Sequence, residues 1–296
     1  MDINIAIAPD NNVINPTYAL LNSIKENNPN EKINIFILFC ELTDENIDNL
    51  IIFSKSIDLH ISTHRIEFKK VKTLRDKMRS SHITVTALLR CFMSTVLPND
   101  VNKILYLDVD TIVTRSLKEL FSTELNTNIA GVVKDPGVSH LTEFGIDGNQ
   151  YFNSGVMIID LKLWREKQIE NLAFSFMKEH PENCRYWDQC ALNYALSGKV
   201  EYISEKWNVI ANKKNVINQI RNVSIIHYAG IHKPWNNPEH HPFGIYYSIF
   251  SQNTPAATEY DHTLLLPVKK VQFSDIGRMF KRLRNSINKR TLGLMK

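Results

Sequence analysis

The chain has 296 residues, 43% hydrophobic and 22% charged, a balance that is ordinary for a soluble globular protein with one large α/β domain, alone or with an appendage. Its net charge of +4 is unevenly placed: residues 268–296 carry nine Lys or Arg and one Asp, whereas the other 267 residues carry 26 basic and 30 acidic side chains. The acidic body argues against a nucleic-acid-binding protein, and the basic tail predicts an anionic partner.

The cysteines and the N-terminus bear on the cellular compartment. Four cysteines without a CxxC pair predict a reduced protein that has no disulfide framework. The opening "MDINIAIAPD" has no basic segment before its short apolar run, so it is predicted to be a strand and not a signal peptide. No apolar stretch reaches the roughly 18–20 residues of a membrane-spanning helix. We therefore expect a cytoplasmic protein, peripheral on the inner face of the cytoplasmic membrane.

Strands and helices alternate in the first part of the chain. Apolar runs predict strands over 3–10, 32–40 and 59–68, and helical periodicity predicts helices over 15–27, 42–56 and 82–98. We expect Asn15 to cap the first helix with Pro16 at its first position, Thr43 to cap the second, and Pro98 to end the third. This alternation is typical of a mostly parallel sheet with helices on both faces.

The alternation continues through the middle of the chain and then stops. The stretch "ILYLDVDTIV" at 104–113 begins as a buried strand, and 128–135 is a strand ending in Asp135. Residues 151–181 predict a strand and an amphipathic helix, 185–198 a helix closed by Gly198, and 222–235 a strand running into a polar loop. From about residue 251 the α/β rhythm is lost, so we predict a catalytic domain over 1–250 and an extension over 251–296.

Two carboxylates, Asp108 and Asp110, stand where the strand at 104–113 reaches its polar end. Residues two apart in an extended segment point the same way, so the pair can form a hard-oxygen site for Mg²⁺ or Mn²⁺ with positions left for phosphates. Ligands of such sheets bind outside the carboxyl ends of strands, and Asp10 falls at another such end. A capping or turn pair is the alternative interpretation, because Asp is common at strand ends.

Four motifs, "LYLDVDTIV", "YFNSGVMIIDLKLWR", "WDQCALNYAL" and "HYAGIHKPW", occur in that order. Together they resemble the family-8 retaining glycosyltransferases, with the greatest similarity to bacterial lipopolysaccharide galactosyl- and glucosyltransferases. The resemblance implies a single nucleotide-diphospho-sugar domain of the GT-A type, with a Rossmann-like, mostly parallel mixed sheet that has helices on both faces. It also implies a divalent cation, Mn²⁺ by preference and Mg²⁺ as the second choice, that joins the protein to the diphosphate of a UDP-sugar.

The resemblance assigns a role to each matching position. Metal ligands would be Asp108, Asp110 and His227; the uridine would lie on Ala8, Asp10 and Asn11; the donor sugar would contact Arg90, Asp108, Asn153, Asp188 and Gln189; the diphosphate would contact Gly230 and Lys233; and the acceptor would contact His82 and Asp135. Each position also has a plainer interpretation, such as a strand-end histidine, a surface turn, a helix-face charge or a cap. The doublet at 240–241 is interpreted as loop polarity.

Two departures from the family pattern affect the expected mechanism. Asn12 stands where relatives often place a tyrosine that stacks on the uracil, and Cys190 stands where many relatives carry an acid. Retention by double displacement needs a nucleophile opposite the leaving group, and the amide of Gln189, our catalytic candidate with Asp188, is a poor one. A front-face mechanism, in which the departing UDP oxygen helps to deprotonate the acceptor, is then easier to accept.

The tail and the competing enzyme classes complete the prediction. Residues 276–296 place apolar side chains at helical spacing among Arg and Lys, which is typical of a basic interfacial helix on anionic lipid; a disordered solubilising tail is the alternative.

Haloacid-dehalogenase-type phosphohydrolases also use Asp-x-Asp, but with Gly-Thr following, and here Thr111 comes three after Asp108 without a glycine. A non-catalytic nucleotide-sugar-binding protein is the other alternative. We predict a retaining transferase that moves galactose first, or glucose second, from a UDP-sugar to a saccharide or glycolipid acceptor of the cell surface.

Overall fold

A computed structural model of the chain describes residues 1–69, 71–72, 85–135, 141–211, 222–236, 241 and 243–257. The basic tail, His82 and His240 lie outside these ranges, so what the sequence predicts for them stays a prediction. In the described ranges there is no helix long and apolar enough to cross a membrane.

Two sheets account for the strands of the described residues. The strands are β1 (Asp2–Ile7), β2 (Lys32–Phe39), β3 (His60–Arg65), β4 (Lys103–Leu107), β5 (Thr111–Val113), β6 (Ala130–Lys134), β7 (Phe152–Asp160), β8 (Val200–Tyr202), β9 (Val209–Ile210) and β10 (Ile225–His227). The larger sheet has the spatial order β3-β2-β1-β4-β7-β6-β8, and the smaller one has the order β5-β10-β9.

The helices alternate with these strands along the chain. They are α1 (Ile14–Asn27), α2 (Asp44–Ser56), α3 (Met93–Val96), α4 (Lys118–Phe121), α5 (Leu161–Glu166), α6 (Ile169–Glu179), α7 (Asp188–Ala195) and α8 (Gly244–Ser251), with short 3₁₀ segments that include Asn11–Val13 and Val85–Phe92. Since α8 continues to Ser251, it crosses the predicted domain boundary at residue 250, and that division stays a prediction.

The predicted fold class is confirmed. Within the described part of the larger sheet, strands β3, β2, β1 and β4 run parallel to one another, and only β7 runs against its two neighbours β4 and β6. Along β4, Ile104 and Tyr106 belong to one hydrophobic cluster, and Leu105 and Leu107 belong to the other. A strand covered on both faces needs this continuous apolar run, and each large side chain that it buries stabilises the fold by about 1.5–3 kcal/mol.

Several predicted helix boundaries are confirmed and others are corrected. Thr43 caps α2, since its hydroxyl accepts from the N–H of Asn46 at 3.2 Å. The expected cap at Asn15 is wrong, because a 3₁₀ turn precedes α1 and is capped by Asp10, whose carboxylate accepts from the N–H of Asn12 at 2.8 Å. Pro16 still lies in the first turn of α1, where a missing N–H costs no helical hydrogen bond.

The predicted helix over 82–98 is also different in the structure. Its described part is a 3₁₀ helix over Val85–Phe92 followed by the single turn of α3, and Leu97 before Pro98 is extended, as the proline requires. With three residues per turn, Ala87 and Arg90 lie above one another, and the Nε–H of Arg90 donates to the carbonyl of Ala87 at 3.2 Å. The tighter helix thereby directs Arg90 toward the end of β4.

Three further predicted elements have different bounds in the structure. The run over 104–113 divides after Leu107, so that Thr111–Val113 joins the smaller sheet as β5. The predicted helix within 151–181 is broken into α5 and α6 at Gln168, which has φ 53°. The helix predicted over 185–198 begins later, at Asp188, after Trp187 with φ 53°, and Gly198 with φ 69° follows its end as expected.

Candidate active site

Asp108, Asp110 and His227 lie together between the two sheets. Asp108 follows β4, Asp110 precedes β5, and His227 is the last residue of β10, which pairs antiparallel with β5 so that His227 lies opposite Thr111. The Nε2 atom of His227 is 3.3 Å from Oδ1 of Asp110 and 3.8 Å from Oδ2 of Asp108. One ligand atom from each residue lies within 4.8 Å of the others, so the three residues form a candidate metal site.

Backbone hydrogen bonds hold the turn that carries the two carboxylates. The N–H of Asp108 donates to the carbonyl of Gly155 at 2.8 Å, and the hydroxyl of Thr111 donates back to the carbonyl of Asp108 at 2.7 Å. The carbonyl of Asp110 accepts from the N–H of Tyr228 at 2.9 Å. The turn is therefore fixed from β7, from its own threonine and from the residue after His227.

A buried guanidinium lies behind the turn. Arg90 is only 6% exposed, and its Nη1 donates to Oδ2 of Asp108 at 3.2 Å and to the carbonyl of Ser154 at 2.8 Å. Its Nη2 forms an ion pair with Oδ1 of Asp108 at 3.0 Å. Its Nε lies 2.7 Å from Oδ2 of Asp188, but that N–H is directed at Ala87, so the contact with Asp188 is a charge contact and not a hydrogen bond. The guanidinium also stacks over the ring of Tyr106, 4.8 Å from its centroid.

The ionisation of the carboxylates follows from their partners. Burial opposes ionisation of Asp110, but the positively charged form of His227 and the ammonium of Lys233, 2.5 Å from Oδ2, hold the pKa of Asp110 well below its usual range. Burial raises the pKa of Asp188 to about 7, because the one guanidinium of Arg90 compensates only part of the cost while it also serves Asp108. Asp110 is therefore an anion in this site, and Asp188 titrates near neutrality.

A β-bulge exposes backbone groups beside the carboxylates. Met157 and Asn153 of β7 pair with the consecutive residues Val132 and Val133 of β6, so residues 154–156 have no partner in that strand. The freed N–H of Ser154 donates to Oε1 of Gln189 at 3.2 Å, while its carbonyl receives Arg90. Bulges of this kind redirect backbone groups next to active sites.

The structure brings the predicted sugar and acceptor residues Gln189 and Asp135 together. Nε2 of Gln189 donates to Oδ2 of Asp135 and to the hydroxyl of Tyr151, each at 3.3 Å. The thiol of Cys190 is buried against the same hydroxyl at 3.3 Å, and burial raises the pKa of Cys190. Position 190, next to Gln189, therefore holds a neutral thiol that faces the protein interior.

The three uridine candidates have different surroundings. Ala8 is buried, and Asp10 accepts from the hydroxyl of Thr86 at 2.9 Å, which ties the end of β1 to the 3₁₀ helix that carries Arg90. The amide of Asn11 is already bonded to the carbonyl of Glu41 and to the N-terminal turn of α2. A role for the side chain of Asn11 in binding uracil stays a prediction, as do the other roles assigned by resemblance.

The diphosphate candidates lie in the loop after β10. Lys233 contacts both Asp110 and the carbonyl of Tyr228, the latter at 2.8 Å. Gly230 is exposed and has φ 99°, in the left-handed region that favours glycine, and a Cβ there would meet nothing within 4 Å. Glycine is thus needed here for its backbone conformation, which turns the loop so that Lys233 returns to the metal site.

Sequence reasoning missed four residues of the site: Tyr106, Ser154, Gly155 and Asn208. Tyr106 donates to Oδ1 of Asp108 at 2.9 Å, and strand alternation shows that the two residues share a face of β4. The roles of Ser154 and Gly155 come from the bulge, for which the motif "NSG" is only a weak signal. Asn208 is hydrogen-bonded to Nδ1 of His227 at 2.9 Å, and nothing in the sequence around Asn208 indicates that contact.

The whole of this site lies inside a stretch that matches a known family. Residues 4–239 match the family model described as glycosyl transferase family 8. The chain belongs to glycosyl transferase family 8. This membership confirms the resemblance seen in the sequence and makes the chain a glycosyltransferase by family.

Named relatives of this family 8 protein include two enzymes of lipopolysaccharide synthesis. The lipopolysaccharide 1,2-glucosyltransferase of Escherichia coli is 27% identical over 271 residues, which cover 86% of this chain and 78% of that protein. The lipopolysaccharide 1,3-galactosyltransferase of Salmonella typhimurium is 25% identical over 268 residues, which cover 85% of this chain and 78% of that protein. Both alignments span most of each protein.

Solved structures support the fold of this family 8 chain. The galactosyltransferase LgtC, in complex with donor and acceptor sugar analogues, superposes with a TM-score of 0.75 at 21% identity, over 87% of this chain and 98% of LgtC. The bifunctional glycosyltransferase WbbM superposes with a TM-score of 0.71 at 21% identity, over 86% of this chain and 50% of WbbM. The predicted GT-A type fold is thus confirmed.

Gly155 supplies the first testable prediction, because the metal site leaves no room for a side chain there. A Cβ at this position would meet Cε1 of His227 and would lie 2.7 Å from Oδ2 of Asp108. We expect Gly155→Ala to displace one of these ligands and to weaken Mn²⁺ binding by at least about tenfold, a loss typical of disturbed ligand geometry. Isothermal titration calorimetry with MnCl₂ measures this loss.

Gly131→Ala is the matched control for Gly155→Ala. A Cβ at Gly131 would also be crowded, at 2.6 Å from Cγ2 of Ile158, but Gly131 lies in β6 among core residues and not at the metal site. We expect Gly131→Ala to lower the free energy of unfolding and to leave the Mn²⁺ affinity of the folded protein unchanged. Equal Mn²⁺ affinity of Gly155→Ala and the wild type would contradict the assigned role of Gly155.

Asp188 supplies a prediction about pH. Its pKa is about 7 in the folded chain against 3.8 ordinarily, so between these values the folded chain holds a proton that the unfolded chain releases. The contribution of Asp188 to stability is therefore present below about pH 4 and is lost as the pH rises toward 7. We expect Asp188→Asn, which cannot titrate, to gain stability relative to the wild type over that range, by up to about 1.4 kcal/mol per pH unit.

Urea unfolding of both proteins at a series of pH values tests this expectation. Asp48→Asn is the control, since Asp48 is exposed on α2 and its replacement should leave the pH dependence as it is in the wild type. A stability difference between Asp188→Asn and the wild type that is constant from pH 4 to pH 7 would show that Asp188 is ionised throughout in the folded chain.

Proposed function

We propose that the chain is a metal-dependent, retaining hexosyltransferase that uses a UDP-sugar as its donor. The observation that carries the proposal is the convergence of Asp108, Asp110 and His227 within 4.8 Å at the carboxyl edge of the sheet, with Lys233 beside them. A diphosphate needs a divalent cation and a positive side chain, and this edge offers residues for both.

The donor set fits Mn²⁺ better than Mg²⁺. Two carboxylates and one imidazole combine hard oxygen ligands with a nitrogen ligand, and imidazole suits Mn²⁺ better than Mg²⁺. A bound cation would neutralise the charge that develops on UDP as the sugar–phosphate bond breaks. Asp108, Asp110 and His227 would hold it, and Lys233 and Gly230 would face the phosphates from the loop.

The choice of sugar and acceptor rests on the relatives. The names of two relatives specify transfer of glucose and of galactose in lipopolysaccharide, and we retain galactose as the first choice and glucose as the second. The acceptor would be a saccharide or glycolipid of lipopolysaccharide, lipooligosaccharide or a surface polysaccharide. A screen of UDP-sugars against oligosaccharide acceptors, with a mass shift as the readout, would decide between galactose and glucose.

The surroundings of Gln189 favour a front-face mechanism. Its amide oxygen already accepts from the N–H of Ser154, and its neighbour Cys190 is a buried neutral thiol, so neither offers an anion to the anomeric carbon. Asp188 is 2% exposed and is held at Arg90, so we assign it to fixing Arg90 beside the donor sugar. The departing UDP oxygen would then take the acceptor proton, and an inverted product linkage in the NMR spectrum would exclude the mechanism.

Family membership decides against a phosphohydrolase, which was one alternative from the sequence. A non-catalytic nucleotide-sugar-binding protein is the other alternative, and the complete set of metal ligands argues against it. Release of UDP from a UDP-sugar in the presence of Mn²⁺ and an acceptor would separate the enzyme from the binding protein.

The metal assignment is tested by Asp110→Asn. The change removes one anionic ligand at constant size, so we expect transfer to fall by at least about a hundredfold, the effect of losing charge stabilisation at a leaving group. UDP binding in the presence of Mn²⁺ should weaken as well. Asp48→Asn makes the same charge change on an exposed part of α2 and should transfer like the wild type. Full turnover in excess EDTA would rule out metal dependence.

The basic tail is proposed to hold the enzyme on anionic lipid. Each basic residue near such a surface contributes roughly 1 kcal/mol, and salt weakens the attraction. Charge reversal at Arg278, Lys281, Arg282 and Arg284 should therefore abolish sedimentation with phosphatidylglycerol vesicles and leave transfer to a small soluble acceptor intact. Continued sedimentation of the reversed protein would place the membrane contact elsewhere.

A further inference from the structure

Behind the metal site, three buried polar side chains form a chain of hydrogen bonds. The N–H of Gly155 donates to Oδ1 of Asn153 at 2.9 Å, and Nδ2 of Asn208 donates to the same oxygen at 2.9 Å. Oδ1 of Asn208 then lies 2.9 Å from Nδ1 of His227. Asn153, Asn208 and His227 are 7%, 4% and 3% exposed, so they depend on one another for hydrogen bonds.

From these hydrogen bonds we propose that Asn208 is a positioning residue. It holds His227 in the tautomer that carries its proton on Nδ1, which leaves the lone pair of Nε2 directed at Asp108 and Asp110. The proposal rests on the proposed metal dependence, which it deepens by adding a residue that binds neither metal nor substrate.

The direction of every hydrogen bond in the chain follows from its first member. The backbone N–H of Gly155 can only donate, so the side-chain atom of Asn153 that faces it must be the carbonyl oxygen. That oxygen can only accept, so the atom of Asn208 that faces it must be the amide nitrogen. The other end of Asn208, which faces His227, is then its carbonyl oxygen, and it requires a proton on Nδ1 of His227.

This series of hydrogen bonds therefore determines that Nε2, the other ring nitrogen of His227, presents a lone pair to the site. A neutral imidazole with its proton on Nδ1 presents a lone pair at Nε2, which lies 3.3 Å from Oδ1 of Asp110. A lone pair this close to a carboxylate is repelled unless a cation lies between them. The arrangement thus favours cation binding at the triad, and it also couples His227 to Asn153, a candidate for binding the donor sugar.

Only asparagine meets both requirements at position 208. Aspartate would accept from Nδ1 but would face the oxygen of Asn153 with another oxygen. Alanine would remove the partner of Nδ1 of His227 and would leave Oδ1 of Asn153 with only the N–H of Gly155. Partners of this kind orient metal ligands, and their loss typically weakens metal binding by about 10- to 100-fold. We expect both Asn208→Ala and Asn208→Asp to fall in this range.

The first experiment reads the tautomer in the unaltered protein. Imidazole ¹⁵N NMR of ¹⁵N-histidine-labelled protein, at a pH where His227 is neutral and with His227→Gln to assign its signals, should show the proton on Nδ1. A proton on Nε2 would overturn the proposal. This measurement needs neither metal nor a variant at position 208, so it decides the inference even if Asn208 variants fail to fold.

The second experiment measures Mn²⁺ affinity by calorimetry for the wild type, Asn208→Ala and Asn208→Asp. Asn22→Ala is the control, because Asn22 is a comparably buried amide, 6% exposed, that donates to the carbonyl of Phe250 in another part of the fold. We expect weak binding by both Asn208 variants and wild-type affinity in the control. Unchanged affinity in Asn208→Ala would overturn the positioning role, whereas no Mn²⁺ binding by the wild type would refute the proposed metal dependence and leave the tautomer result standing.

Discussion

The candidate site depends on one buried cation, Arg90, between two carboxylates that belong to different elements. A guanidinium removed from water is costly unless its charge and its donors are compensated, and Asp108, Asp188 and the carbonyl of Ser154 do so together. The same contacts fix the carboxylate that follows β4 and the first residue of α7. The desolvation cost of one side chain thereby sets the relative positions of the candidate metal site and of Asp188, which we assign to the donor sugar.

The division of the run over 104–113 between two sheets is the second constraint. After β4 the chain leaves the larger sheet, and β5 pairs antiparallel with β10, which brings His227 opposite Thr111 although the two residues are far apart in sequence. Gly155 makes this approach possible, because any side chain there would occupy the space of His227 and Asp108. The three candidate metal ligands therefore meet only because two sheets pack closely at this edge.

Much of the architecture was predictable, and the failures have physical causes. The apolar runs of β1, β2 and β4 indicated strands covered on both faces, and the hydroxyl of Thr43 indicated the start of α2. The predicted cap of α1 at Asn15 was wrong because the chain already turns at a 3₁₀ segment that Asp10 caps, and local preference does not show which polar residue begins the helical stretch. The 3₁₀ helix over Val85–Phe92 was missed because its hydrophobic pattern also suits an α-helix.

By itself, the sequence determined the fold class, the family and the identity of the chemical groups: the carboxylates after β4, the histidine after "VSII" and the lysine in the loop that follows. The fold class, the family and these groups could be predicted because strand ends and motifs each depend on residues that are neighbours in the sequence. Only the tertiary structure decided the partners of Arg90, the bulge at Ser154 and the contact of Asn208 with His227. Such contacts join residues that are distant in sequence, and their geometry depends on how strands and helices pack in three dimensions.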